Sequence, residues 1–314
     1  MNRAHKVLQA ICLLLVFSLC VPAGAQQVAE GQAPQAKSAG GLPGVLWRDP
    51  GDIASRNLLY GPGGRERAPA GKFKFVEEGK EGATPKFDVV DEQGVRWRVK
   101  VGPEARAETA ATRLLWAVGY FADEDYYVPE LRVEGMQKLS RGQKFVSAGG
   151  IVRGAGLERH AAGRKKIGAW SWSDNPFVGT KELGGLKIMM SLMNNWDISE
   201  RQNAIYDQGG VEHQYGVSDV GATFGRTGGI FSRSKDNLKD YSQSKFVQET
   251  KPGHVDLSPF KDIPRADAKW LGQLLSKLSA EQIRDCFRAA GYSPQEVEGY
   301  TKAVQARISA LNQL

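Results

Sequence analysis

Apolar and polar residues change their spacing several times along the chain, and each change marks an element. Residues 11–21 are nearly all apolar. Arg3, His5 and Lys6 precede this run, and the small residues Ala23-Gly24-Ala25 follow it. That order predicts a signal peptide over 1–25, cleaved near Ala25. The apolar run is shorter than the roughly 20 residues a span requires, so no stable membrane span is expected. Residues 26–44, rich in Gln, Ala, Gly and Pro, read as a disordered linker. Structure is expected from Val45-Leu46-Trp47 onward.

Period-two alternation then dominates. Residues 72–78, 86–91 and 95–101 predict three strands of an antiparallel meander, joined by the turns at 79–85 and 92–94. Residues 103–118 switch to helical spacing. Pro103 suits the first turn, Glu104 and Glu108 favour the positive end, and Gly119 suits the C-cap. Residues 121–160 read as strands and loops. A second helix is predicted over 180–195, with Thr180 as a cap and Leu183, Leu186, Met190 and Met193 at helical spacing. Residues 215–225 read as a short strand and a glycine turn, and 232–265 as polar and poorly periodic. Two closing helices follow. The first runs through Leu271 and Leu275 and restarts after Ser279. The last starts at Ser293-Pro294. Strands first and helices last predict an α+β, two-lobed fold. Residues 45–160 form a strand-rich N-lobe and 161–314 a mainly helical C-lobe, with a cleft between them as a natural ligand site.

Composition narrows the partners. The chain is 41% hydrophobic and 25% charged, ordinary for a globular protein. Loss of Arg3 and Lys6 with the leader lowers the formal charge from +7 to +5. No dense Lys/Arg block is present, so no nucleic-acid partner is expected. Of the three cysteines, Cys12 and Cys20 lie in the leader, and Cys286 reads as a small core residue. His160, His213 and His254 are scattered without zinc spacing, and no Gly-x-Ser-x-Gly elbow occurs. Trp170, Trp172 and Phe177 read as packing aromatics, with an exposed docking patch for substrate or partner as the alternative.

Phosphoryl transfer from a nucleotide needs a cation on the phosphates, an acid to hold that cation, a backbone turn over the phosphates, a carboxylate to orient the acceptor, and oxygen ligands for Mg²⁺. Candidates stand in a workable order. Lys100 closes the third strand and Glu108 follows on the helix. Gly79 and Gly82 bend the first turn, with Thr84 and Lys86 beside it. Asp197 ends the stretch Met189–Asp197 in a loop, and Asn203 opens the next apolar run. Asp219 precedes Val220-Gly221. Taken singly, each has a plainer reading: a solvated strand lysine, a hairpin glycine, a capping Asp or an Asx turn.

The stretch Lys100-Val101-Gly102-Pro103-Glu104-Ala105-Arg106-Ala107-Glu108 resembles the Lys-x-Gly-x-acid-x-Arg-x-acid segment of the phosphatidylinositol 3/4-kinase family. Asn195-Trp196-Asp197 through Asn203-Ala204-Ile205-Tyr206 resembles the catalytic loop of the spore-coat and HipA-type kinases, and Ser218-Asp219-Val220-Gly221 resembles the kinase Asp-Phe-Gly motif. Five residues separate Asp197 from Asn203 where those families have four, and Trp196 stands where many have His or Arg. The resemblance implies a kinase-like fold. Lys100 would grip the phosphates of ATP with Glu108 behind it, under Gly79, Gly82 and Lys86. Asp197 would orient the acceptor hydroxyl, and Asn203 and Asp219 would hold Mg²⁺. The expected partners are a nucleotide and a protein or small-molecule acceptor. The leader implies a periplasmic or secreted location, and favours as the alternative a catalytically inactive kinase-like binding or scaffold protein of the cell envelope.

Overall fold

A computed structural model describes residues 36–37, 41–229 and 231–314. The expected signal peptide and most of the expected linker lie outside the described residues. Two short strands fall inside the segment read as linker: β1 (Ala36–Lys37) pairs with β2 (Pro43–Val45).

The meander forms as its alternation predicts. β3 (Phe73–Gly79), β4 (Lys86–Asp91) and β5 (Arg96–Val101) are antiparallel neighbours. The β4–β5 turn needs Gly94, whose φ is 79°. Asp91 Oδ1 caps it by accepting from Gln93 N and Val95 N, and Asp91 Oδ2 accepts from Trp97 Nε1 at 2.8 Å. Helix α1 (Pro103–Ala117) follows after one glycine. Then come β6 (Asp125–Glu134), β7 (Val146–Ser147) and β8 (Ile151–Arg159). β8 pairs with both β6 and β5, and β3 pairs with β6, so five strands close on themselves as a small barrel. The period-two pattern fills it. Phe87, Val89, Trp97, Val99, Val152 and Leu157 belong to one buried cluster, while the alternate residues of β4 and β5, among them Lys86, Asp88, Arg98 and Lys100, point outward.

The second half holds β9 (Arg164–Gly168), α2 (Lys181–Leu192), β10 (Asn203–Gln208), β11 (His213–Val217) and α3 (Leu238–Gln243). It continues through β12 (Gln248–Lys251), β13 (His254–Leu257), β14 (Phe260–Pro264), α4 (Arg265–Leu275), α5 (Ala280–Ala289) and α6 (Pro294–Asn312). Thr180 caps α2 as expected, its Oγ accepting from Leu183 N at 3.2 Å. This half is helix-rich, with five helices, and it also carries six short strands, in a sheet ordered β1-β2-β11-β10-β9 and a separate β12-β13-β14 sheet. The poorly periodic stretch 232–265 folds as α3 and that second sheet. One expectation is corrected: three helices close the chain, because Ser279 and Gln282 form a capping box that starts α5 afresh.

The larger core joins both halves. Leu114 and Leu115 of α1 share it with Leu186 and Met190 of α2, Leu271 and Leu275 of α4, and Phe287 and Tyr300. Trp170 and Phe177 are buried in it, and Trp172 packs half-buried against Phe260. The fold is α+β, with a strand-rich barrel and α1 first and the helix-rich part after them. Among the described residues no helix is long and apolar enough to cross a membrane.

Candidate active site

Lys100 leaves β5 on the outer face, and the tight passage through Gly102 turns the chain back so that the second turn of α1 lies against it. The Lys100 ammonium donates to both Glu108 oxygens, at 2.7 and 2.8 Å. Both side chains are nearly sealed from solvent: Lys100 is 7% exposed and Glu108 4%. Glu158 of β8 stands 3.6 Å from the same ammonium. Burial alone would lower the lysine, but Glu108, Asp219, Glu158 and Asp125 outweigh it and hold Lys100 well above its usual range, a fixed cation. Burial pushes Glu108, Asp125 and Glu158 upward, against the pull of Lys100.

Asp219 enters from the other half. It lies close enough to act electrostatically on Lys100, Glu108 and Lys86. Its Oδ1 accepts from Gly221 N at 3.3 Å. Gly221 has to be small, since a Cβ there would stand 2.9 Å from Glu104 Cβ. Glu104, read in the sequence only as a helix-end charge, is a clamp: its carboxylate bonds Thr84 from the β3–β4 turn and Lys235 from the segment after Gly221. Arg106, one turn into α1, bonds Asp236 at 3.2 Å and Glu296 at 3.0 Å. Helix α1 thus grips the chain that follows Asp219, at Gly221, Lys235 and Asp236.

The glycine turn sits over the lysines. Lys86 faces Lys100 directly across β4 and β5. The Lys86 ammonium is 3.6 Å from the position a Cβ on Gly82 would take, and a Cβ on Gly79 would stand 2.9 Å from Lys86 Cγ. Burial, then the neighbouring Lys100 and Arg98, lowers the Lys86 pKa. Arg141 ties the turn down, donating to Gly82 O at 2.5 Å and Gly79 O at 3.2 Å.

Asp197 and Asn203 lie on either side of a single 3₁₀ turn, Glu200–Gln202. That turn absorbs the extra residue between them. Asp197 Oδ1 accepts from Ser199 Oγ at 2.9 Å and Oδ2 from Gln202 Nε2 at 2.8 Å. Gln202 O accepts from Ser218 N at 2.7 Å, which ties the loop to the residue before Asp219. Asn203 is fully buried as the first residue of β10, opposite Val217. Its Nδ2 donates to Trp170 O at 2.8 Å, but its Oδ1 is buried with no hydrogen-bond partner. Trp196 donates to Ser234 O at 3.0 Å and carries the Arg233 guanidinium 3.9 Å over its ring, so it props the segment after Gly221.

No family model matches the sequence, and no curated protein matches it. Among solved structures, the chain is similar to the crystal structure of a Helicobacter pylori proinflammatory kinase, CtkA, at 10% identity and a TM-score of 0.49. The match covers 78% of this chain and 98% of that one.

The structure brings Lys100, Glu108, Lys86 and Asp219 together, sets the Gly79–Gly82 turn beside Lys86, and joins Asp197 and Asn203 to them through Gln202, Ser218 and Val217. Sequence reasoning missed Glu158 and Asp125, the two further acids around Lys100. They lie opposite each other on β8 and β6, and only the closing of β8 onto β5 brings them there. Among the described residues, no three His, Cys, Asp or Glu side chains form a metal-holding group. A cation at this site would therefore rely on Asn203, Asp219 and oxygens of the ligand itself. The orphaned Asn203 Oδ1 fits that requirement, because a buried acceptor without a donor is costly unless a cation meets it.

Proposed function

We propose that the chain is a kinase-like phosphotransferase, passing the terminal phosphoryl group of a nucleotide, with Mg²⁺, to a hydroxyl acceptor. The carrying observation is the buried Lys100–Glu108 pair facing Asp219 across the join of barrel and helical part. An ammonium buried so deeply is costly to place there for stability alone. Held by Glu108, it is aimed at phosphate oxygens without reorganising. Lys86 and the backbone of the Gly79–Gly82 turn add donors from above. Asn203 Oδ1 and Asp219 are the residues that would hold Mg²⁺, whose contribution when bound is to neutralise phosphate charge. Asp197 is oriented by two neutral donors, and each of its oxygens keeps a lone pair for an acceptor hydroxyl. Its role is to align that hydroxyl and take its proton. Export belongs to the same proposal and rests on the leader-like residues 1–25.

The test is calorimetric titration of the purified chain with ATP, with and without Mg²⁺, followed by a phosphate-release assay. Asp219→Ala should lose the Mg²⁺ dependence of binding. Asp197→Ala should keep binding yet lower turnover by about 10²–10⁴-fold. Unchanged Mg²⁺-dependent binding in Asp219→Ala would remove the metal assignment. Unchanged turnover in Asp197→Ala would remove the base.

A further inference from the structure

The outer face of the barrel that turns toward Asp219 is charged at Lys86 and Lys100 and along the whole of the row beside them. The register sets its residues in rows across β4, β5, β8 and β6. One row is Lys86, Lys100, Gly156 and Tyr127. The next is Asp88, Arg98, Glu158 and Asp125. Same-face neighbours along a strand are about 7 Å apart. On the far side of Lys100 the chain runs into α1, where Glu104, Thr84 and the glycine turn gather. A nucleotide held there by its phosphates has one direction left for its base, over the second row.

Flat heterocycles are ordinarily held by apolar or aromatic side chains. The second row contains none. Its centre is Arg98, whose Nε donates to Asp88 Oδ1 at 3.1 Å and whose cross-strand neighbour on the other side is Glu158. Asp88 is itself buried and is shared with Arg96, whose Nε donates to Oδ2 at 2.8 Å. The Arg98 side chain keeps 37% of its surface exposed. The carboxylate is the anchor, and the guanidinium is the accessible part. Its Nε is tethered to Asp88 on one neighbouring strand, and Glu158 stands in register on the other, so the side chain is held on the outer face while more than a third of its surface stays open.

We propose that Arg98 is the platform on which the nucleobase stacks, so that the base is recognised by a tethered guanidinium plane in place of an apolar roof. The inference rests on the nucleotide reading above. Guanidinium planes stack on aromatic rings and attract their faces, whereas the compact lysine ammonium has no plane to stack. Arg98 is therefore a specificity residue for the base, and the Lys variant, which keeps its charge, separates that role from its field at the phosphates.

The experiment compares Mg-ATP with Mg-tripolyphosphate, which has the phosphates and no base, by calorimetry on the full chain. Wild type should prefer ATP. Arg98→Lys keeps the charge and the Asp88 ion pair but loses the plane. It should weaken ATP by about 5–10-fold and leave tripolyphosphate within about twofold. Thermal melting checks that the variant folds. Equal loss for both ligands, or ATP binding by Arg98→Lys at wild-type strength, overturns the stacking role. Wild-type binding of tripolyphosphate as tight as ATP overturns it while leaving the phosphate site standing. Binding of neither ligand by wild type overturns both.

Discussion

The two halves of the candidate site are built on opposite principles. On the barrel and α1, most charges are paired within the chain: Lys100 by Glu108 and Glu158, Arg98 by Asp88, and Glu104 by Lys235. On the β10–β11 side the polar groups meet only neutral donors, or nothing. Asp197 is held by Ser199 and Gln202, Asp219 by one long backbone bond, and Asn203 Oδ1 is orphaned. The cation half is thus largely paired before any ligand arrives, while the oxygen half makes no ion pair and keeps acceptors to spare. Such asymmetry suits a ligand that brings its own cation, as a metal–nucleotide complex does.

The largest effect should come from breaking the cation half. Lys100→Met leaves Glu108 buried without its partner, and equilibrium denaturation should show a loss of about 3–5 kcal/mol. Lys100→Met/Glu108→Met should recover most of that loss without recovering nucleotide binding. Equal stability of single and double variants would mean that the pair is not a closed unit.

The oxygen half should respond to ligand instead. Mg-ATP at about 100 times its Kd should raise stability by about 2.7 kcal/mol. Neither Mg²⁺ nor ATP alone should match that gain, and Asn203→Ala should forfeit most of it. The joint between the halves is tested by Gly221→Ala. The new methyl meets Glu104 Cβ and Cγ, so a loss of about 1–3 kcal/mol is expected, along with a weaker hold of Glu104 on Lys235.

The smallest effect concerns the acids the barrel gathers. Burial holds the Glu158 carboxyl above the usual carboxylate range, so the folded chain keeps a proton that the unfolded chain releases. The ionised carboxylate therefore costs stability once the pH exceeds the ordinary carboxylate pKa. Glu158→Gln removes that cost. It should melt about 2–4 °C above wild type at pH 8, and the gap should close as the pH falls to about 4. A gap that widens toward acid would reverse the sign of the argument.

Much of this architecture was legible in the sequence where local signals are strong. The meander, α1 and α2 follow from alternation, helical spacing and caps, and Thr180 and Ser293 cap where they should. The ordered stretch 232–265 was not legible, because strands of four or five residues rich in charge carry no periodic signature. The break at Ser279 was visible, but whether a helix restarts in line or at an angle depends on packing. Within the site, the Lys100–Glu108 pair is a local event across one turn and could be read. Glu158 and Asp125 could not, because their approach to Lys100 depends on which strand closes the barrel. Asn203 illustrates the same limit. Its spacing from Asp197 was readable, but its inward, unpartnered oxygen follows from the 3₁₀ turn before it.

The closing of β5 onto β8 has a consequence beyond the site. Each of the five strands has a neighbour on both flanks, but β3 meets β6 through Phe73 and Lys74 alone. A partner that works by adding a strand therefore has one seam to enter on this part of the molecule, where β3 runs on past the end of β6 from Phe75 to Gly79.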